Sequence, residues 1–441
     1  MGQLSTRSDI RRALERVGAT DIVTAPDYEN SIPSDVVRCV WRGQRTVAVG
    51  ADPAQQLAGV IALVDLHARL GGQSGDRSVS ADDVTVLVAE MPRRPETIDA
   101  VATLAATATA HGGPRVHVAG LDGDGRPTEV PAVAVDFADA AAYGYAPWAE
   151  MLMATRRGPS RWVDEFLAAV EREDVRAYPM LSSRGARWSL RLEGLQFAVA
   201  DAAGAVLDVG ADGKNDARSE QRRQWVAAAG TEQITIAADG PWDRAIMAVR
   251  RLADTWLPSV DVDAATAPQN EHVLESRILR GACPVVVDGR PLDLIDIAPG
   301  RPVSWGSQFP TRWGRRPPAG NGRAPSSARY LDALLRDGTT PWAVEMKVQG
   351  TGGVGQYYRN AVAQAVLYQR FIATAESLDE WFRAAGLDRT AVRSAVVVPR
   401  PPEKQQKWIE RLEQVCGLFG VAPVVVDPSF AERTTGRPLA S

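Results

Sequence analysis

Between Tyr330 and Val348 the chain reads Tyr-Leu-Asp-Ala-Leu-Leu-Arg, then Asp-Gly-Thr-Thr, then Pro-Trp-Ala-Val-Glu-Met-Lys-Val. Two apolar runs divided by a short Gly-containing turn predict an antiparallel hairpin. With Gly338 and Thr339 at its tip, or with a four-residue loop from Asp337 to Thr340, the register sets Asp332 opposite Glu345. Side chains alternate along a strand, so Glu345 and Lys347 share a face with Asp332, while Trp342, Val344, Met346 and Val348 point the other way. Like charges side by side on a strand are costly unless a cation joins them, and Mg2+ takes oxygen ligands of this kind. The hairpin therefore predicts a paired carboxylate site for Mg2+ or Mn2+, with one ammonium beside it.

Only four of the 50 basic residues are lysines, and Lys347 stands in an apolar strand where arginine is the default of this composition. A compact ammonium that can be positioned is what such a choice supplies. A bound ion lowers the pKa of a coordinated water and offsets charge building on a phosphate, and Lys347 is placed to orient the nucleophile or assist the transition state. Phosphodiester hydrolysis is the expected chemistry. Asp212-Gly213-Lys214, a second acidic-x-Lys match in a Gly-rich turn, is read as meaningless.

At 441 residues the chain exceeds one ordinary core. Its patterning predicts an α/β protein of three parts: a mixed α/β domain over 1–145, a second over 146–264, and a domain over 270–441. In the first, a helix capped by Ser8 runs to Val17, Asp52 to Leu70 is an amphipathic helix, and strands fall at Val84 to Val88 and Val116 to Ala119. In the second, a helix from Trp162 to Glu171 precedes a hairpin of Trp188 to Ala200 and Ala205 to Val209, and a helix from Pro241 to Leu257 closes the part. The Asp-, Ala- and Pro-rich segment Val260 to Asn270 reads as a linker. No apolar run approaches the length of a membrane span, and the charged start of the chain lacks the layout of a secretory signal. Cys39, Cys283 and Cys416 have no metal-ligand spacing, and the expected setting is a reducing cytoplasm. From Glu271 onward 22 Lys and Arg face 17 Asp and Glu, a net of +5 in a chain of net −4, so a polyanion would bind this part.

The last part orders as α-β-β-β-β-α-α-β-α-β. Its first helix, Glu271 to Arg280, carries Glu271 and Glu275 on one face, either of which offers a further carboxylate. On the helix from about Gln356 to Ala373, Gln364 and Tyr368 are four apart and share a face. This order of helix Glu, strand Asp, Glu-x-Lys and helical Gln-x-x-x-Tyr resembles the PD-(D/E)XK nucleases, above all their RecB-like branch. The helix Glu271-His272-Val273-Leu274-Glu275-Ser276-Arg277-Ile278 is similar to the start of the nuclease domain in archaeal and actinobacterial mismatch and branched-DNA endonucleases. The resemblance spans about 270–427.

It implies a restriction-endonuclease-like α-β-β-β-α-β core with a mixed central sheet. It further implies metal binding by Asp332, Glu345 and Glu275 (or Glu271), catalysis by Lys347, and support from Gln364 and Tyr368. Leu331 stands where the superfamily has its proline, and the insertion Pro299 to Ser327 lengthens the span from Glu275 to Asp332. That insertion sets Arg312, Trp313, Arg315 and Arg316, with Arg301, Arg323, Trp305 and Phe309, in a mix suited to phosphate contact and base stacking. The expected partner is nucleic acid, DNA first, in repair, restriction or phage defence, and cutting both strands of a duplex suits a homodimer. Two rivals stand beside this reading. One is a catalytically silent nuclease-like module that binds nucleic acid or protein. The other is a dinucleotide fold, because Gly350-Thr351-Gly352-Gly353-Val354-Gly355 matches G-x-G-x-x-G between a strand and a helix.

Overall fold

In a computed structural model the described residues are 7–24, 36–51, 56–71, 83–88, 95–122, 124, 126–134, 136, 146–180, 186–209, 216–261, 270–295, 309–311, 329–348, 354–401 and 403–427. After helix α1 (Arg7–Arg16), a first sheet runs β1 (Thr20–Thr24), β2 (Val36–Trp41), β3 (Gln44–Ala51), β4 (Asp83–Val88), β5 (Arg115–Leu121) and β6 (Pro127–Val130), in that order. Helices α2 (Gln56–Gly71) and α3 (Pro95–Ala110) are the crossovers that leave β3, β4 and β5 parallel. Strands β1 to β3 were not foreseen, because β2 turns into β3 through Arg42-Gly43, an unusual pair for a tight turn. Both residues have positive φ, 55° and 76°, as a two-residue type I′ turn demands.

Helices α4 (Ala146–Thr155) and α5 (Arg161–Val170) lead to a second, wholly antiparallel sheet of β7 (Val175–Met180), β8 (Arg187–Leu192), β9 (Leu195–Ala200), β10 (Gly204–Leu207) and β11 (Ile234–Ala237). Helix α6 (Asp216–Ala229) joins β10 to β11, and α7 (Asp243–Asp261) follows. The run Trp188 to Ala200, expected as a single strand, is instead the hairpin β8–β9, reversed at Glu193-Gly194 with φ of 41° and 82°.

The third set comprises α8 (Asn270–Leu279), β12 (Val286–Val287), β13 (Arg290–Pro291), β14 (Asp293–Leu294), β15 (Phe309–Thr311), β16 (Arg329–Leu331), β17 (Ala333–Asp337), β18 (Thr340–Met346), α9 (Val354–Thr374), α10 (Asp379–Ala384), β19 (Arg393–Pro399), α11 (Lys407–Phe419) and β20 (Ala422–Val426). Its five-stranded sheet has the order β14-β17-β18-β19-β20, antiparallel from β14 to β18 and parallel from β18 to β20. β12 with β13 and β15 with β16 form separate two-stranded ribbons. The chain is thus α/β with antiparallel and mixed sheets. Strand β18 has an antiparallel neighbour on one side, unlike the parallel surroundings of a dinucleotide fold's first strand. Residues 350–353 of the glycine motif, and Asp212-Gly213-Lys214, lie outside the described residues. Among the described residues no helix is long and apolar enough to cross a membrane.

Helix α2 departs from the one-sided amphipathic helix expected of it. Val60 to Val64 are all buried, because the helix packs on the first sheet and also against α9 and α11. Asp65 of this helix is fully buried and accepts hydrogen bonds from Arg411 Nη2 (2.8 Å), Tyr358 Oη (3.2 Å) and Arg359 Nη2 (3.3 Å). Asp65→Ala removes the carboxylate on which two arginines converge, and an expected loss of about 3–5 kcal/mol follows from breaking one side of a buried ion pair. Chemical denaturation read by tryptophan fluorescence measures it.

Candidate active site

The β17–β18 ladder pairs Asp337 with Thr340 and Ala333 with Val344, so Gly338 and Thr339 form the two-residue turn. Gly338 has φ 57°, a conformation glycine adopts without steric cost at the first central position. Continuing that register places Asp332 beside Glu345. The run Tyr330 to Arg336, the first arm of the expected hairpin, breaks at Asp332: β16 pairs with β15, and β17 with β18. The break has a cause, because Asp332 Oδ2 accepts the Met346 backbone N–H at 2.7 Å and so takes over a bond of the ladder. Trp342, Val344 and Met346 are buried in an apolar cluster with Leu274 and Ile278 of α8.

Lys347 Nζ is surrounded by oxygen. It lies 2.9 Å from Glu345 Oε1, 2.9 Å from Glu271 Oε1, 2.8 Å from the Met346 carbonyl and 3.9 Å from Asp332 Oδ2. Glu345 is 1% exposed, and its second oxygen, Oε2, is buried with no hydrogen-bond partner among the described residues. Of the two helix carboxylates, Glu271 reaches the ammonium. Glu275 is buried, its Oε2 is 3.0 Å from His272 Nδ1, and its Oε1 is a second buried oxygen with no partner among the described residues. His272 was not foreseen as part of this cluster; its i,i+3 spacing to Glu275 is the signal in the sequence.

Gln364 and Tyr368 do not join this ring of oxygens. Tyr368 Oη donates to the Tyr330 carbonyl at 2.7 Å, and Gln364 Nε2 donates to Tyr368 Oη at 3.4 Å, so the pair fixes the strand two residues before Asp332. Arg312, Trp313, Arg315 and Arg316 lie outside the described residues, as do Arg301, Trp305 and Arg323. Phe309, grouped above with the stacking aromatics of the insertion, is instead fully buried. Its ring centroid is 5.4 Å from that of Trp381 and 6.1 Å from that of Phe382, so β15 anchors the insertion to the core.

Four carboxylates, Glu271, Glu275, Asp332 and Glu345, cluster around one ammonium and one imidazole, and their ionisation reflects the crowding. Burial raises Glu345 from 4.5 to about 7, against the charge of Lys347. Burial, then the charge of Glu345, lifts Asp332 well above the usual carboxylate range, with Glu275 and Glu271 adding to the rise and Lys347 opposing it. Burial works against the charge of Lys347, but Glu345, Asp332 and Glu271 together hold its pKa well above the usual lysine value. The hydrogen bond to Glu275 raises His272.

This donor set suits a hard divalent cation. Asp332, Glu345 and the Met346 carbonyl already surround a positive charge, and the excess of carboxylate remains uncompensated by Lys347 alone. Among the described residues no three His, Cys, Asp or Glu side chains form a ready-made cage, so backbone carbonyl and water would complete the shell. A proton on Glu345 competes with any cation. Affinity for Mn2+ is therefore expected to rise with pH through the Glu345 value of about 7, by at least about tenfold per pH unit below it, because Asp332, also raised, must lose its proton too. Calorimetric titration on either side of that value checks this. No protein-family model matches the chain, and neither a curated protein nor a solved structure matches it significantly.

Proposed function

We propose that the protein is a metal-dependent nuclease of the PD-(D/E)XK kind that hydrolyses phosphodiester bonds, with DNA as its substrate. The observation that carries this reading is the Lys347 ammonium set within 4 Å of Glu345, Glu271, Asp332 and the Met346 carbonyl. The order α8, β14, β17, β18, α9, β19 supports it, because it follows the α-β-β-β-α-β succession with the carboxylates on the central hairpin.

Asp332, Glu345 and the Met346 carbonyl would hold Mg2+ or Mn2+, with Glu271 or Glu275 adjoining. When bound there, the ion would supply water activation and charge neutralisation at the phosphate. Lys347, kept protonated by its neighbours, donates hydrogen bonds toward the attacking water or the phosphoryl oxygens. Tyr368 and Gln364 keep the Asp332 strand in register. A net positive charge over the last third of the chain favours a polyanion. A cytoplasmic role in repair, restriction or phage defence, and a homodimer for duplex cutting, fit the same reading.

One observation favours a silent nuclease-like binding module instead. The Asp332 bond to the Met346 amide and the ion pairs of Lys347 are also what a purely structural cluster makes. Incubation of wild type with supercoiled plasmid, linear duplex, single-stranded DNA and RNA in Mg2+ and in Mn2+ separates the two. Cleavage of any one names the substrate class, whereas binding with no cleavage throughout supports the silent module.

A further inference from the structure

The helix that brings Glu271 and Glu275 to the site is held from outside the sheet that carries Asp332, Glu345 and Lys347. Helix α8 is ten residues long, too short to be stable unless tertiary contacts fix it. Part of that support is apolar: Leu274 and Ile278 belong to one buried cluster with Val344 and Met346 of β18 and Tyr178 of β7. The remainder is the β8–β9 turn. Gly194 lies so close to the first turn of α8 that a Cβ there would stand 2.4 Å from the His272 carbonyl oxygen and 2.9 Å from the His272 Cβ. Its neighbour Glu193 is 3% exposed and accepts a hydrogen bond from Arg280 Nη2 at 2.6 Å, with Arg277 Nε at 3.4 Å. The turn is fixed in its own sheet by the Glu193 N–H, which donates to the Asp174 carbonyl at 2.9 Å.

One two-residue turn thus grips α8 near both ends. We propose that Glu193 and Gly194 are positioning residues: the second sheet, through this turn, sets the distance of Glu271 and Glu275 from Lys347 and Asp332, and so completes the site. The proposal rests on the nuclease reading for its kinetic consequence only. Displacement of a catalytic carboxylate by an ångström is enough to cost about a hundredfold in rate. Removing the Glu193 charge lets Arg277 and Arg280 drift and α8 tilt, while the β17–β18 hairpin stays in place.

The test uses the full chain. Glu193→Gln keeps size and loses charge; Arg280→Gln reads the same contact from α8, and serves alone should Glu193→Gln fail to fold. Each single variant is expected to lower kcat by at least about tenfold with KM within about twofold. The double variant should lose clearly less than the two single losses combined, because the Glu193–Arg280 contact is common to both, while Glu193 also faces Arg277 and Arg280 also faces Glu173 at 3.6 Å. Backbone hydrogen exchange followed by mass spectrometry should speed up over 271–280 and stay unchanged over 333–346. Wild-type kcat in either variant, additive losses in the double variant, or exchange that rises equally in both segments overturns the proposal. A wild type that cuts no substrate sinks the nuclease reading instead, and the exchange comparison alone then decides whether the turn holds the helix.

Discussion

Lys347→Ala is expected to abolish measurable cleavage, a loss on the order of 10²–10³-fold or more, because it removes the ammonium that the site's carboxylates hold in place for the developing charge. The effect should fall on kcat, since an interaction made chiefly in the transition state leaves KM almost untouched. Lys347→Arg should fare little better. A guanidinium is planar and larger, and the ammonium is enclosed by three oxygens at 2.8–2.9 Å. Single-turnover cleavage in saturating Mg2+ measures both. Wild-type rates for Lys347→Ala would reduce the ammonium to a structural counter-ion.

Glu345→Gln is expected to inactivate the protein and, without divalent metal, to stabilise it. Glu345 has a folded-state pKa of about 7 against an ordinary 4.5, so between those values the folded chain binds more protons than the unfolded one. Stability from this group is therefore fully present below 4.5 and is lost as pH rises through 7, by about 3 kcal/mol in all. The glutamine mimics the protonated carboxyl, so the variant should lack that slope and exceed wild type in stability above pH 7. Denaturant unfolding in chelator at several pH values reads the slope. Saturating Mg2+ should narrow the gap, because a bound cation stabilises the ionised site of wild type.

The hairpin was legible because two periodicities agree on it. Alternation from Trp342 to Val348 and the glycine at 338 fix one register, and the structure has that register from Ala333 to Val344. The choice between Glu271 and Glu275 was not legible: residues four apart share a helical face, and only the tilt of α8 against β18 decides which reaches Lys347. The hairpins at Arg42-Gly43 and Glu193-Gly194 escaped notice for a common reason. Each puts a charged, long side chain at positive φ where Asn or Asp is the usual signal, so Trp188 to Ala200 reads as one strand. Burial of Val60 to Val64 of α2 depends in part on α9 and α11, far later in the chain, which no local pattern carries. Likewise, nothing local marks Phe309 as a buried anchor within the Arg-rich insertion.

Metal-dependent cleavage through Asp332 is tested by comparing wild type with Asp332→Ala on supercoiled plasmid and single-stranded DNA, each in Mg2+, in Mn2+ and in chelator. Cleavage by wild type is expected only where divalent metal is present, and none by Asp332→Ala in any condition. Equal cleavage by both proteins, or cleavage that persists in chelator, would contradict this expectation.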